Sequence, residues 1–137
     1  MGDPERSIDI LQRVSEDEVL RRDRRDGLEH ACPIGRSAAG EDLDQKDLLL
    51  SVAIGLSNAA LSRRFLIDRL TAAQIRQTLE VKYAKLFTWL ATYRSEALNQ
   101  GFVYHDGKRK YLEGLKSSDI DKRHKALVSA VRWLISY

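Results

Sequence analysis

The chain is poor in the residues that staple or punctuate a fold: one cysteine and two prolines in 137 residues. The lone Cys32 excludes an internal disulfide and suits a reducing compartment. The start, MGDPERS, is acidic and polar where a secretory signal is basic and then apolar, so the expected location is the cytoplasm. Long apolar runs are also missing. The most apolar stretch, Leu48 to Leu61, contains Ser and Asn and is too short to span a bilayer. With two prolines and few alternating β-branched runs, the expected fold class is all-α, a compact bundle of about five helices.

Catalytic signatures are absent too. There is no dinucleotide fingerprint, nucleophile elbow or paired-His zinc pattern, and Gly35 to Gly40 (GRSAAG) lacks the Lys-Ser/Thr ending of a P-loop. His30 and Cys32 lie close together, but His105 and His124 are isolated, so no metal site is expected. Acidic residues are mostly interspersed with basic ones, which gives paired catalytic carboxylates no support. The expectation is a chain that is not an enzyme and holds no cofactor.

Hydrophobic residues make up 43% and charged residues 31%, which is enough for one packed domain. The net charge of +3 and the pI of about 9.1 are mildly basic, compatible with a nucleic-acid partner. Residues 1–137 read as one helical domain, with 1–43 a peripheral N-terminal arm and loop and 44–137 the core bundle.

The longest helical signal runs from Leu70 to Leu98. Thr71 and Gln74 have capping-box spacing, and Ile75, Leu79, Leu86, Leu90 and Tyr93 recur at three- and four-residue steps. Phe87 and Trp89 widen that stripe, Arg76, Lys82, Lys85 and Arg94 line the remainder, and Gly101 ends the helix. Upstream, Asp3-Pro4 opens a first helix and Ser15–Glu18 offers a second capping box. Gly27 to Glu41 reads as a loop. Asp42 or Asp44 caps a helix running toward Arg64 that is apolar nearly all round, hence central. Ser117 or Ser118 caps the last helix, faced by Ile120, Leu127, Val128, Val131, Leu134 and Ile135.

Basic groups cluster in three places. The Arg21–Asp26 run reads as a solvated helix end in preference to a phosphate-binding arm, because its Asp residues offset its Arg residues. Arg63 and Arg64 suit the negative end of a helix dipole. Lys108, Arg109 and Lys110 are the densest positive cluster without acidic relief, flanked by Tyr104 and Tyr111. Basic groups interleaved with aromatics suit RNA, and a solvated basic loop is an equal reading. Asp106-Gly107 between short apolar runs is a hairpin signal, but a lone hairpin is marginal, so Phe102–Gly107 is expected to be helix or turn.

Three segments, in order, resemble the small subunit of type III-A (Csm) CRISPR–Cas interference complexes. They are Leu70-Thr71-Ala72-Ala73-Gln74-Ile75-Arg76, Phe102-Val103-Tyr104-His105-Asp106-Gly107-Lys108, and Ala126-Leu127-Val128 through Tyr137, all in the C-terminal half. The resemblance implies a helical subunit without enzymatic activity, present in several copies in a ribonucleoprotein. Such a subunit packs against its neighbours and contacts a guide RNA–target duplex in antiviral defence. Arg76 and Lys108 carry over as RNA-binding positions, and charge clustering adds Arg63, Arg64, Arg109 and Lys110. The alternative is a helical protein–protein adaptor or inhibitor, phage or host-defence related, with no nucleic-acid contact.

Overall fold

A computed structural model of the protein describes residues 3–28, 32–33 and 43–136. Most of the expected loop at 27–41, including His30, lies outside the described residues. Those described form seven α-helices and one small hairpin: α1 (Pro4–Ser15), α2 (Glu18–Asp26), α3 (Gln45–Ile54), α4 (Asn58–Phe65), α5 (Arg69–Lys82), α6 (Ala84–Gln100), β1 (Phe102–His105), β2 (Lys108–Tyr111) and α7 (Ile120–Ile135). A 3₁₀ turn, Glu113–Lys116, joins β2 to α7.

The fold is mostly helical, as expected, but has two helices more than the five anticipated, because two long segments are each broken. The apolar stretch from Leu48 ends its first helix at Gly55, in the left-handed conformation, and restarts at Ser57, whose hydroxyl accepts from the Ala60 amide. The Leu70–Leu98 segment breaks at Tyr83 without any Pro or Gly. Its true cap is Asp68, which accepts from the Thr71 amide at 2.6 Å, so the helix begins ahead of the Thr71–Gln74 box. Asp119, not Ser117 or Ser118, caps α7. Asp3, Asp44 and Gly101 hold the terminal positions expected of them.

The break at Tyr83 has a tertiary cause. Asp17 is 2% exposed, and its carboxylate serves two helices. Oδ1 accepts from Leu20 at the start of α2, at 3.0 Å, and Oδ2 accepts from Leu86 in the first turn of α6, at 2.9 Å. The Leu86 amide would bond to the Lys82 carbonyl in an unbroken helix. Tyr83 is fully buried, and its hydroxyl donates to Asp23 Oδ2 at 2.7 Å. Burial, then that bond, push the phenol well above its ordinary range.

One core runs through the described residues. The predicted stripe of Ile75, Leu79, Leu86, Leu90 and Tyr93 is buried throughout. Helix α3 is central, with Leu48, Leu49, Val52 and Ala53 all at most 2% exposed. Helix α1 is no peripheral arm: Ile8 and Leu11 are fully buried, and it packs on α3, α6 and α7. Ser7 Oγ donates to the Ile135 carbonyl at 3.1 Å, tying α1 to the end of the last helix. At the other end of α7, the turn residue Gly114 lies against the helix. A Cβ there would stand 2.7 Å from the Lys122 carbonyl oxygen and 2.9 Å from Ala126 Cβ.

Asp17→Ala removes a cap and orphans a buried amide, and should cost about 2–4 kcal/mol in urea unfolding. Asp23 should show its role through pH. Burial raises its pKa, but the Tyr83 hydroxyl and Lys82 outweigh this and leave it below the ordinary 3.8. A depressed carboxylate stabilises above its unfolded value and loses that contribution as pH falls through the folded one. Asp23→Asn should therefore be less stable than wild type at neutral pH, with the gap closing below about pH 4.

Candidate nucleic-acid interface

The Phe102–Tyr111 segment corrects the expectation of helix or turn. It is an antiparallel hairpin pairing Phe102 with Tyr111, Val103 with Lys110, Tyr104 with Arg109 and His105 with Lys108. Asp106 and Gly107 have φ of 52° and 77°. Two successive left-handed residues make the type I′ turn that matches strand twist, and glycine takes the second place without strain. A lone hairpin is marginal in water, but this one packs on α6 and buries Val103 to 3% exposure.

Facing residues share a side of a hairpin, and alternate residues along a strand share it too. Val103 points inward, so Phe102, Tyr104, Arg109 and Tyr111 stand together on the outward side. The Arg109 guanidinium lies over the Phe102 ring, 4.9 Å from its centroid, and the Phe102 and Tyr111 ring centroids are 5.2 Å apart. Lys108 and Lys110 are exposed along the same strand. Beyond the turn, a groove of about 400 Å³ separates the hairpin from α1, lined by Arg6, Ile10, Arg13, Val14, His105 and Asp106. Arg13 pairs with Asp9 at 2.9 Å, and Asp106 places a second carboxylate there. Arg6 and Arg13 lie seven positions apart on one helix face. That spacing was readable in the sequence; their place opposite the hairpin was not.

The other predicted positions go elsewhere. Arg63 is exposed on α4. Arg64 grips Asp47 of α3 with two nitrogens, at 2.8 and 3.2 Å. Arg76 is half-buried: Nε donates to Asn58 Oδ1 at 2.9 Å, and a terminal nitrogen donates to the Leu56 carbonyl. Arg94 donates likewise to the Ala53 carbonyl. Burial lowers both guanidinium pKa values, and Arg76 lowers that of Arg94 further. Arg76 therefore does not share an accessible face with Lys108, Arg109 and Lys110. With Arg94 it satisfies carbonyls at the negative end of α3.

Among the described residues no group of three His, Cys, Asp or Glu could hold a metal ion, and no helix is long and apolar enough to cross a membrane.

No protein-family model matches this chain, and no curated protein matches it. Among solved structures, the fold is similar to the POL domain of Pol1 from M. smegmatis in complex with DNA primer-template and dNTP. The two are 21% identical with a TM-score of 0.73, over 94% of this chain and 24% of that one. The likeness is one of fold, and the chain spans about a quarter of that structure's length. It also corrects the expectation that the chain is not an enzyme. The same helical arrangement occurs inside an enzyme, so missing catalytic motifs do not exclude activity.

Arg76→Ala should destabilise the chain by about 1–3 kcal/mol, the cost of leaving buried carbonyls unpaired, as read by chemical denaturation. DNA affinity per folded molecule, read by titration, should stay unchanged.

Proposed function

We propose that this chain is a nucleic-acid-binding helical module of a polymerase-like enzyme, holding the strand backbone at its hairpin. The observation that carries this reading is the exposed cationic strand of Lys108, Arg109 and Lys110, next to a groove in which Arg6 and Arg13 lie across from the turn residues His105 and Asp106. The likeness to a polymerase domain bound to primer-template DNA supports it. Lysine and arginine side chains neutralise phosphates and release counterions, which gives sequence-independent binding. Contacts of this kind go to the strand backbone and carry no sequence information.

The reading as a CRISPR-type small subunit on a guide RNA–target duplex is a separate proposal. It draws on the three resembling segments, the second of which forms a hairpin where that resemblance implies helix.

The test is a fluorescence titration of primer-template DNA at several salt concentrations. Replacing Lys108, Arg109 and Lys110 by Ala should weaken binding and flatten the salt slope by about 0.9 for each phosphate no longer neutralised. Stability should fall by only about 1 kcal/mol, mostly from the Arg109–Phe102 pair. Unchanged affinity and slope would mean that the cluster is merely solvated.

A further inference from the structure

The outward side of the hairpin is built from rings. Tyr104 is 58% exposed and Tyr111 65%, although both are large and partly apolar. Phe102 has the Arg109 guanidinium over its ring and the Tyr111 ring beside it, tilted by 46°. Successive same-side positions on a strand are about 6.8 Å apart. That is room for one flat ring between two rows. An arginine plane stacked on an aromatic ring leaves its other plane open, and guanidinium and phenol rings both accept a nucleobase face. Arg109 is the cation on the ring side; Lys108 and Lys110 alternate with it along the strand and project to the other side, exposed, where they add positive charge within reach of a strand's phosphates.

We infer that this aromatic face stacks unpaired nucleobases, so that the module prefers single-stranded nucleic acid, or the single-stranded part of a primer-template, over closed duplex. The inference rests on the nucleic-acid reading above and adds the form of the ligand. A duplex offers phosphates but hides the faces of its bases, and only an unpaired base can present a plane to Tyr104, Tyr111 and Arg109. Stacking is tolerant of sequence because every base has such a face. The exposed rings thus provide what lysines alone do not, a means of telling one strand from two.

The probe is a 12-nucleotide oligodeoxythymidine, compared with an abasic strand of the same length and with a 12-base-pair duplex, each titrated against the 137-residue chain. Wild type should bind the base-bearing strand more tightly than the abasic one. The double variant Tyr104→Ala, Tyr111→Ala should lose about five- to a hundredfold in affinity for the base-bearing strand and little for the abasic strand, with the salt slope unchanged. Tyr104→Phe with Tyr111→Phe keeps both rings and should bind as wild type. That retention separates stacking from damage to the fold, which circular dichroism checks independently. Equal wild-type affinity for the base-bearing and abasic strands overturns the inference while leaving the backbone grip in place. If no strand binds, the nucleic-acid reading fails and the inference with it. Self-association that the alanine pair abolishes without changing strand affinity would assign the face to a second copy of the chain, and would also overturn it.

Discussion

One buried carboxylate sets the arrangement of the first half of the molecule. Asp17 accepts from the start of α2 and from the first turn of α6. A single side chain thereby terminates one helical run, starts another, and fixes both relative to α1, which ends just before it. Backbone amides at helix starts have no partner within their own helix, so a carboxylate between two of them satisfies groups that burial would otherwise leave unmet. Asp23 adds a second tie between the same elements through the Tyr83 hydroxyl, with Lys82 at 3.2 Å. The direction of α6 follows from these contacts, and α6 is the surface on which the hairpin rests.

The molecule uses arginine in two ways. Arg76 and Arg94 turn inward and bind carbonyls where α3 ends. Burial removes water from both guanidinium groups, and in that drier setting the charge of Arg76 is felt at Arg94. Arg6, Arg13 and Arg109 stay at the surface, beside a groove and a ring. Total charge does not distinguish these uses, since Arg76 and Arg109 count equally toward the +3. Surroundings do.

The apolar stripe of the long segment was legible because helical periodicity survives a bend: Ile75 through Tyr93 face the core on both sides of Tyr83. The bend itself was not, because its cause lies sixty or more residues away, at Asp17 and Asp23, and leaves no local mark. The hairpin carried its own signal in Asp106-Gly107, but its stability comes from Val103 folding back on the helix just before it, which depends on the direction the chain takes after Gly101 and not on periodicity. The basic cluster at 108–110 was visible as charge. Its aromatic side was not, because which rings share a face depends on register. Arg76 shows the limit of charge counting. An arginine on a helix's polar side reads as a surface group until the neighbouring turn is in place.

Gly114 is a glycine for want of space rather than for backbone freedom, since it is not among the residues with positive φ. Any side chain there would run into the Lys122 carbonyl oxygen and Ala126, so only glycine lets the segment leaving the hairpin seat against the last helix. The last helix is thus held at both ends, by the glycine turn near its start and by the Ser7 hydroxyl on the Ile135 carbonyl at its finish. A residue with no side chain thereby decides how near the hairpin's exit can come to the helix that completes the core.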